Sequence, residues 1–185
     1  MREKRMKKII LAGVLVMSML LLPGCSFITE LIDSMNGEPK TIESSDGVFT
    51  MVIPAGWEQP KQGTLNQAAS IEAMNASKEL YFTAIMENKA DYDCSLEDYR
   101  DYVVDLNEDV FRTRFGEPTK TFVNGNDAYS YVFELTSDDG IKTYTRLFIV
   151  DTGNYFGQLY SWTIKSMETE NKDIVDTISD TFQEK

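Results

Sequence analysis

Residues 121–164 read TFVNGNDAYSYVFELTSDDGIKTYTRLFIVDTGNYFGQLYSWTI, and this stretch carries the strongest strand signal of the chain. β-Branched and aromatic residues fill three long segments, which short polar turns separate. A shorter strand at 121–123 comes first and ends at Asn124-Gly125, a favoured two-residue hairpin turn. Strands joined by such short turns pair in antiparallel order, so the stretch predicts an antiparallel meander. The three long segments are 127–135, 141–150 and 155–164.

Apolar residues occupy both faces of these predicted strands. In segment 141–150, Leu147 and Ile149 alternate with Phe148 and Val150, so neither face is polar. A sheet with two apolar faces needs a covering layer on each side. One face of segment 127–135 is predicted to carry Tyr129, Tyr131, Phe133 and Leu135.

Three further strands are predicted upstream of the meander. Segment 48–53 is a β-rich run that ends at the turn 54–56, which presents Trp57. Segments 69–73 and 80–87 are separated by turn-forming residues, and we expect them to pair as a hairpin.

Two helices are predicted, one before the meander in the sequence and one after it. Ser95 is the N-cap of the first, with Asp98 in the fourth position of a capping box, and residues 116–118 end it. The second covers 169–182. The apolar stripe of the first helix comprises Leu96, Tyr99, Val103, Leu106 and Val110. That of the second comprises Ile174, Ile178 and Phe182.

These elements predict an α+β fold, an α/β/α sandwich with a mainly antiparallel sheet of about six strands and helices on both faces. The expected domain division is a signal peptide at 1–24, a tether at 25–46 and one globular domain at 47–185. Within the tether, residues 27–35 have helical spacing and fit either an amphipathic helix on a membrane surface or a flexible linker.

Four segments resemble the PsbP-like family, whose members include a photosystem extrinsic subunit, an import factor that binds the Ran GTPase and many bacterial lipoproteins. They are the strand and turn 49–57 (FTMVIPAGW), the helix start 95–99 (SLEDY), the turn 123–128 (VNGNDA) and the closing segment 178–182 (ISDTF). The resemblance covers about residues 46–183 and implies a PsbP-like sandwich. It carries over no functional residue, because this fold supports unrelated roles.

The N-terminus predicts a bacterial lipoprotein signal. Five basic residues within positions 2–8 precede an apolar run of 14 residues at 9–22, shorter than the roughly 20 residues of a spanning helix. Leu-Pro-Gly-Cys follows at 22–25, so we expect cleavage after Gly24 and diacylation of Cys25, which anchors the protein on the extracytoplasmic face of the membrane. The alternatives are a plain secretory peptide and an uncleaved anchor with an incidental cysteine.

The chain is acidic, with a formal net charge of −12. Without residues 1–24 it keeps 13 basic and 29 acidic residues, a net charge of −16. Such a domain is repelled by phosphates, so no nucleic-acid partner is expected. The charge fits solubility first, and cations or basic partners second.

The sequence offers little catalytic chemistry. It contains no histidine, which excludes Ser-His-Asp and Cys-His catalysis and His-bearing zinc sites. Cys94 has no neighbouring base or second cysteine and is interpreted as a passive residue at a helix entrance. No enzyme activity, cofactor or metal is expected, and a hydrolase using carboxylates alone is a remote alternative.

Three features have both a functional and a structural interpretation. Asp91, Asp93 and Ser95 start like a calcium loop, but Leu96 stands where an EF-hand needs glycine, so they form either an improvised calcium site or a polar lead-in that caps the helix. An acidic stripe on the first helix is either a solvated face or a docking surface for a basic partner. It comprises Asp98, Asp101, Asp105 and Asp109.

The third such feature is the aromatic meander. Its aromatic residues either pack in the core or leave an exposed binding platform. They are Tyr129, Tyr131, Phe133, Tyr144, Phe148, Tyr155, Phe156, Tyr160 and Trp162.

The function expected from the sequence is a membrane-anchored extracytoplasmic lipoprotein that serves as a non-enzymatic binding or accessory module for an envelope protein. A small-ligand or divalent-cation-binding lipoprotein is the alternative.

Overall fold

The computed structural model describes residues 38–107, 117–137 and 139–185, which contain nine strands and two α-helices. The strands are β1 (Lys40–Glu43), β2 (Phe49–Ile53), β3 (Ile71–Asn75), β4 (Leu80–Asn88), β5 (Thr119–Val123), β6 (Asn126–Thr136), β7 (Lys142–Asp151), β8 (Tyr155–Ile164) and β9 (Gln183–Glu184). Helix α1 (Leu96–Leu106) lies between β4 and β5, and helix α2 (Glu168–Thr177) follows β8.

Six strands form one antiparallel sheet in the order β3-β4-β8-β7-β6-β5. The predicted meander β5 to β8 and the hairpin of β3 and β4 are both confirmed. Strand β4 pairs with β8 along nine residues, which joins the upstream hairpin to the meander. The sheet is therefore assembled from two sequence-local units and one long-range pairing.

The turn between β5 and β6 shows why this sequence forms a tight hairpin. Asn124 and Gly125 have φ angles of 48° and 81°, and a type I′ turn needs positive φ at both central residues. The Asn124 side chain also donates a hydrogen bond to the carbonyl of Phe182, 3.1 Å away. The turn thus sets the register of the hairpin and ties it to the C-terminal segment.

Helix α1 covers one face of the sheet, which we call the α1 face. Tyr99 and Val103 of the helix are fully buried against it. The predicted row on β6 lies there: Tyr129, Tyr131 and Phe133 are buried, and Leu135 packs beside them. The other buried members of this cluster are Ile85, Leu147, Ile149, Phe156 and Tyr160.

The opposite face, the α2 face, is covered by α2 and by a small second sheet. Val175 of α2 and the residues Ile178 and Phe182 that follow it pack on the six-stranded sheet. The small sheet has the order β1-β2-β9 and adds Phe49, Met51 and Ile53 to the same core. Helices on both faces of an antiparallel sheet confirm the predicted α+β sandwich.

The small sheet extends the folded part beyond its predicted start. Strand β1 lies inside the segment 25–46 that the sequence assigns to a tether, and it pairs with β2 from Lys40↔Ile53 to Glu43↔Thr50. Of its four residues only Ile42 is buried, so it carries almost no strand pattern of its own. The folded part therefore includes Lys40, and the remaining domain boundaries stay predictions.

The C-terminal helix is shorter than the sequence predicts. Helix α2 ends at Thr177, and Ile178–Thr181 form a 3₁₀ turn before β9. The hydroxyls of Thr177 and Thr181 donate to the carbonyls of Asp173 and Ile178, at 2.7 and 2.9 Å. Hydroxyl and β-branched residues favour such local bonds over helix propagation, which explains the early end.

A buried carboxylate holds the segment that connects β2 and β3. Glu72 is 2% exposed, and its oxygens accept the backbone N–H groups of Thr64, Leu65 and Asn66 at 3.1, 2.7 and 2.7 Å. Glu72 pairs with Thr83 across the sheet. Three donors compensate the charge of the carboxylate and fix the loop over the sheet.

Candidate functional site

The surface that stands out chemically is the outward side of α1 and of the residues just before it. Six carboxylates there are exposed, and we call them the acidic ridge. They are Asp91, Asp93, Glu97, Asp98, Asp101 and Asp105. The predicted stripe on the first helix is thus solvated at its three described positions, and its fourth member, Asp109, lies outside the described residues.

The helix that carries the ridge begins at the predicted cap. The Ser95 hydroxyl accepts the N–H of Asp98 at 3.1 Å, and the Asp98 carboxylate accepts the N–H of Ser95 at 3.1 Å. This reciprocal pair is the capping box, and it satisfies two N–H groups that have no partner inside the helix. The first turn of α1 is therefore fixed by its own sequence.

Below the ridge, a hydrogen-bond network joins α1 to the sheet. The Tyr99 hydroxyl donates to Glu87 Oε2 at 2.5 Å, and the Tyr92 hydroxyl donates to Glu87 Oε1 at 2.6 Å. Gln158 Nε2 donates to the Tyr99 hydroxyl at 3.2 Å, and the Tyr160 hydroxyl donates to Gln158 Oε1 at 3.1 Å. Two tyrosines donate to the Glu87 carboxylate, and Gln158 and Tyr160 extend this network, which links the helix to the sheet.

The chemistry of this network keeps its tyrosines as donors. Burial raises the pKa of Tyr99 and of Tyr92, and the Glu87 carboxylate raises both further. The Tyr99 ring also stacks on Phe156, with centroids 4.6 Å apart. The hydrogen bonds and the ring stacking indicate a structural role for this network. It fixes α1, and with it the acidic ridge, to the sheet.

The charge of the ridge is compensated only in part. Arg100, the one basic residue of α1, contacts Asp101 at 2.6 Å and Glu97 at 3.5 Å. Its guanidinium also lies 4.5 Å from the centroid of the Tyr129 ring. Asp105 stands in the last turn, where the helix dipole disfavours a negative charge and α1 has no basic residue.

The residues before α1 have structural roles in the described part of the chain. Asp91 ends a 3₁₀ turn, Lys89–Asp91, and Ser95 caps the helix. No group of three or more His, Cys, Asp or Glu side chains in residues 38–107, 117–137 and 139–185 is arranged to hold a metal ion. The capping role that the lead-in interpretation assigns to Ser95 is therefore confirmed.

Cys94 is partly buried at the entrance to α1 and packs against the aromatic cluster. Burial raises the pKa of its thiol, and Asp98 and Asp93 raise it further. A thiol with a raised pKa holds little thiolate at neutral pH. The position agrees with the interpretation of Cys94 as a passive residue.

The aromatic meander is mainly core. Seven of its nine predicted members are buried, which supports core packing over an exposed platform. Tyr155 and Trp162 are half-buried, and Trp162 stacks on Tyr81 with centroids 5.4 Å apart. Tyr155 packs on the α2 face and Trp162 on the α1 face, so the two half-buried rings lie on opposite faces of the sheet.

The described surface includes two small depressions. One has room for about a single water molecule and is lined by Leu65, Asn66, Thr83, Leu135, Thr145, Tyr160 and Trp162. The other measures about 100 Å³, and its lining exposes both polar and apolar atoms. It lies between β1 and the start of β3 and is lined by Glu43, Ser45, Gln59, Pro60, Gln62, Ser70, Ile71 and Glu72.

The predicted lipidation site lies outside the described residues. This holds for Gly24 and Cys25 and for residues 26–37 of the tether, so cleavage and lipidation stay predictions. Within the described ranges, no helix combines the length and apolarity needed to cross a membrane.

Two structural carboxylates were not identified from the sequence. Glu72 and Glu87 occupy strand positions whose partners come from distant segments, the 64–66 loop and the tyrosines around α1. Their sequence context is that of ordinary solvent-facing residues in alternating strands. Only the three-dimensional packing shows them to be enclosed.

The sequence matches no protein-family model and no curated protein. Among solved structures, PsbP (CyanoP) from the cyanobacterium Synechocystis is similar, with a TM-score of 0.57 and 10% identity over 89% of this chain and 99% of that one. LpqN of Mycobacterium tuberculosis, described as involved in cell envelope biogenesis, has a TM-score of 0.54 and 10% identity over 87% and 98%.

The Ran-binding protein Mog1p of Saccharomyces cerevisiae is similar over 81% of this chain and 96% of its own, with a TM-score of 0.52 and 13% identity. Similarity at such low sequence identity shows a shared fold and does not show a shared activity. The chain therefore has the PsbP-like fold that these three proteins share.

Proposed function

We propose that the chain is a membrane-tethered, extracytoplasmic binding module whose acidic ridge engages a basic surface on an envelope protein. The observation that carries this proposal is the ridge itself, six exposed carboxylates of which four lie on α1 and two just before it, on a helix that buried contacts fix to the sheet. A preformed charged surface steers and orients an oppositely charged partner without a cost of ordering on binding.

The position of the charges supports a role beyond folding. Asp105 faces solvent in the last turn of α1, where a carboxylate opposes the helix dipole. Its removal should stabilise the isolated helix by a few tenths of a kcal/mol. A sequence that keeps this charge against local preference fits a surface selected for a partner.

The fold and the N-terminus support the same proposal. LpqN, which shares the fold, is described as involved in cell envelope biogenesis, and Mog1p is described as Ran-binding. The predicted signal at 1–24 and the predicted lipid on Cys25 support a location on the membrane face where envelope proteins act.

The electrostatic part is tested by affinity capture of the full-length chain from its own membranes after mild cross-linking. The variant Asp93→Asn/Asp101→Asn/Asp105→Asn removes half of the ridge and leaves the capping box intact. Exposed charge pairs contribute about 0.2–1 kcal/mol each, so partner recovery should fall about tenfold.

The matched control is Glu170→Gln/Asp173→Asn/Asp180→Asn, which removes three exposed carboxylates on the opposite side of the sheet. It should recover the partner at the wild-type level. An equal loss of partner recovery in both variants would show that only the net charge matters. It would reject the ridge as the binding surface.

The tether is tested separately by Cys25→Ala. We expect the variant to accumulate as unprocessed precursor or to leave the membrane fraction. Normal cleavage together with membrane retention would contradict lipidation at Cys25 while leaving the ridge experiment unaffected.

A small-ligand function is the second candidate, favoured by the depression of about 100 Å³ between β1 and β3. Its exposed polar lining, including Ser45, Gln59 and Gln62, suits a small hydroxylated or cationic molecule. A rise in melting temperature with a divalent cation or an envelope saccharide, lost in Gln59→Ala/Gln62→Ala, is the expected result if this candidate holds.

A further inference from the structure

Strand β5 forms one end of the six-stranded sheet, and within the described residues only β6 pairs with it. The other end is closed differently. Glu58 exchanges two backbone hydrogen bonds with Met74 of β3, at 2.8 and 2.9 Å. The chain itself therefore pairs with the outer edge of β3. No described residue pairs with the outer edge of β5.

Strand β5 carries a large apolar side chain that is exposed. Phe122 is 65% exposed, the highest value among the exposed large apolar residues described. Lys120 lies on the same sheet face, with Nζ 5.6 Å from the centroid of the Tyr129 ring. Thr119 and Thr121 lie on the other face. An exposed aromatic ring beside an edge that no described residue pairs with is a surface on which a further strand can pair.

The hairpin turn determines which backbone groups point outward. A two-residue turn is closed by a hydrogen-bonded pair, here Val123↔Asn126, and the pattern then alternates along the strand. Thr121 and Thr119 therefore bond to β6. Lys120 and Phe122 direct their N–H and C=O groups away from the sheet.

We propose that β5 pairs antiparallel with β5 of a second copy of this chain, about a two-fold axis at Thr121. Lys120 then stands opposite Phe122 of the partner subunit and exchanges two backbone hydrogen bonds with it, and the symmetry repeats this pair. The ammonium gains a second aromatic neighbour, and Phe122 is removed from water. The two six-stranded sheets become one.

Alternative registers are less favourable. A two-fold axis at Lys120 places two ammonium groups opposite each other, which is destabilising. An axis at Phe122 brings Lys120 against Asn124, which belongs to the turn and no longer to the strand. A shift by one residue brings side chains of different faces together. Only the axis at Thr121 pairs both outward residues of β5.

The register is tested by disulfide cross-linking of the full-length chain in its native membranes. In Thr121→Cys, the two new thiols face each other in a non-hydrogen-bonded pair, where Cα atoms are about 4.5 Å apart and within disulfide range. Mild oxidation should give a covalent homodimer that is absent from the wild-type chain, whose Cys94 serves as the internal control.

Thr119→Cys is the matched variant, since it lies on the same strand and face but opposite Val123 of the partner subunit. It should give no more dimer than the wild-type chain. Adding Phe122→Lys to Thr121→Cys places a lysine opposite Lys120 in both symmetry-related pairs. The repulsion between these like charges should weaken the dimer about tenfold. Phe122 is exposed, so folding is not at risk.

Equal dimer yields from Thr119→Cys and Thr121→Cys, or no dimer from either, would overturn the proposal. A Thr121→Cys cross-link to a different protein would overturn it as well, since the edge would then serve a heterologous strand. Neither outcome depends on the acidic ridge, so this test and the capture experiment fail independently.

Discussion

At the level of single side chains, two carboxylates on the α1 face hold segments that are distant in sequence. Glu72 fixes the 64–66 loop through three backbone N–H groups, and Glu87 holds Tyr92 and Tyr99. Hydrogen bonds to charged groups are stronger than neutral ones, and removing one partner leaves the other unsatisfied. These acids are therefore structural, in contrast to the exposed acids of the ridge.

Glu72→Ala tests the first of these roles. Losing a buried carboxylate that accepts three backbone N–H groups should lower the free energy of unfolding by about 3–5 kcal/mol, measured by urea denaturation. Glu58→Ala, at an exposed position of the same region, should change it by less than about 0.5 kcal/mol. Similar costs for both variants would show that Glu72 does not hold the loop.

Tyr99→Phe tests the second role and predicts a pH effect. Deleting the hydroxyl should cost about 1–3 kcal/mol at neutral pH. Burial and Glu87 raise the pKa of Tyr99 in the folded protein, so above about pH 10 the unfolded chain loses this proton while the folded one keeps it. The free energy of unfolding therefore falls as the pH rises above about 10, and it should fall less steeply in Tyr99→Phe. An unchanged alkaline slope would contradict the assignment.

Cys94 provides a chemical test at the same scale. Because burial and two aspartates raise the pKa of its thiol, alkylation at pH 8 should be much slower in the native protein than in urea. Peptide mapping after iodoacetamide treatment measures the rate at Cys94 itself. Native alkylation as fast as in urea would show an accessible, activated thiol.

At the level of helices and strands, the sequence predicts what local pattern determines. The meander, the β3-β4 hairpin and the start of α1 at Ser95 all follow from alternation, turn residues and capping. Strands β1 and β9 were not predictable, because they have four and two residues and depend on pairing with β2. The end of α2 at Thr177 depends on local hydroxyl bonds that compete with the helix.

The β5-β6 turn provides the test at this level. Gly125 has φ 81°, and no heavy atom lies within 4 Å of a Cβ built there, so Gly125→Ala introduces backbone strain without a clash. We expect a loss of about 1–2 kcal/mol in thermal unfolding experiments. Gly125→Asn should recover part of it, because Asn tolerates positive φ. Equal stability of Gly125→Ala and the wild-type chain would argue against the type I′ turn.

At the level of the whole molecule, one sheet separates two surfaces of different character. On the α1 face, tyrosines and Glu87 hold a helix that presents carboxylates to solvent. On the α2 face, a second helix and a small sheet close the core. The exposure of Asp101 and Asp105 was predictable from helical spacing. The network that holds α1 on the sheet was not predictable, since it depends on Glu87 and Gln158 from other strands.

The most direct test of the binding proposal is site-specific photo-cross-linking in native membranes. A photoreactive residue replaces Asp101 on the acidic ridge or, in the matched chain, Asp173 on α2. We predict that position 101 cross-links one discrete envelope protein through a Lys- or Arg-rich segment, that high salt reduces the yield, and that position 173 does not yield this product. Identical products from both positions, or none from position 101, would contradict the ridge as the binding surface.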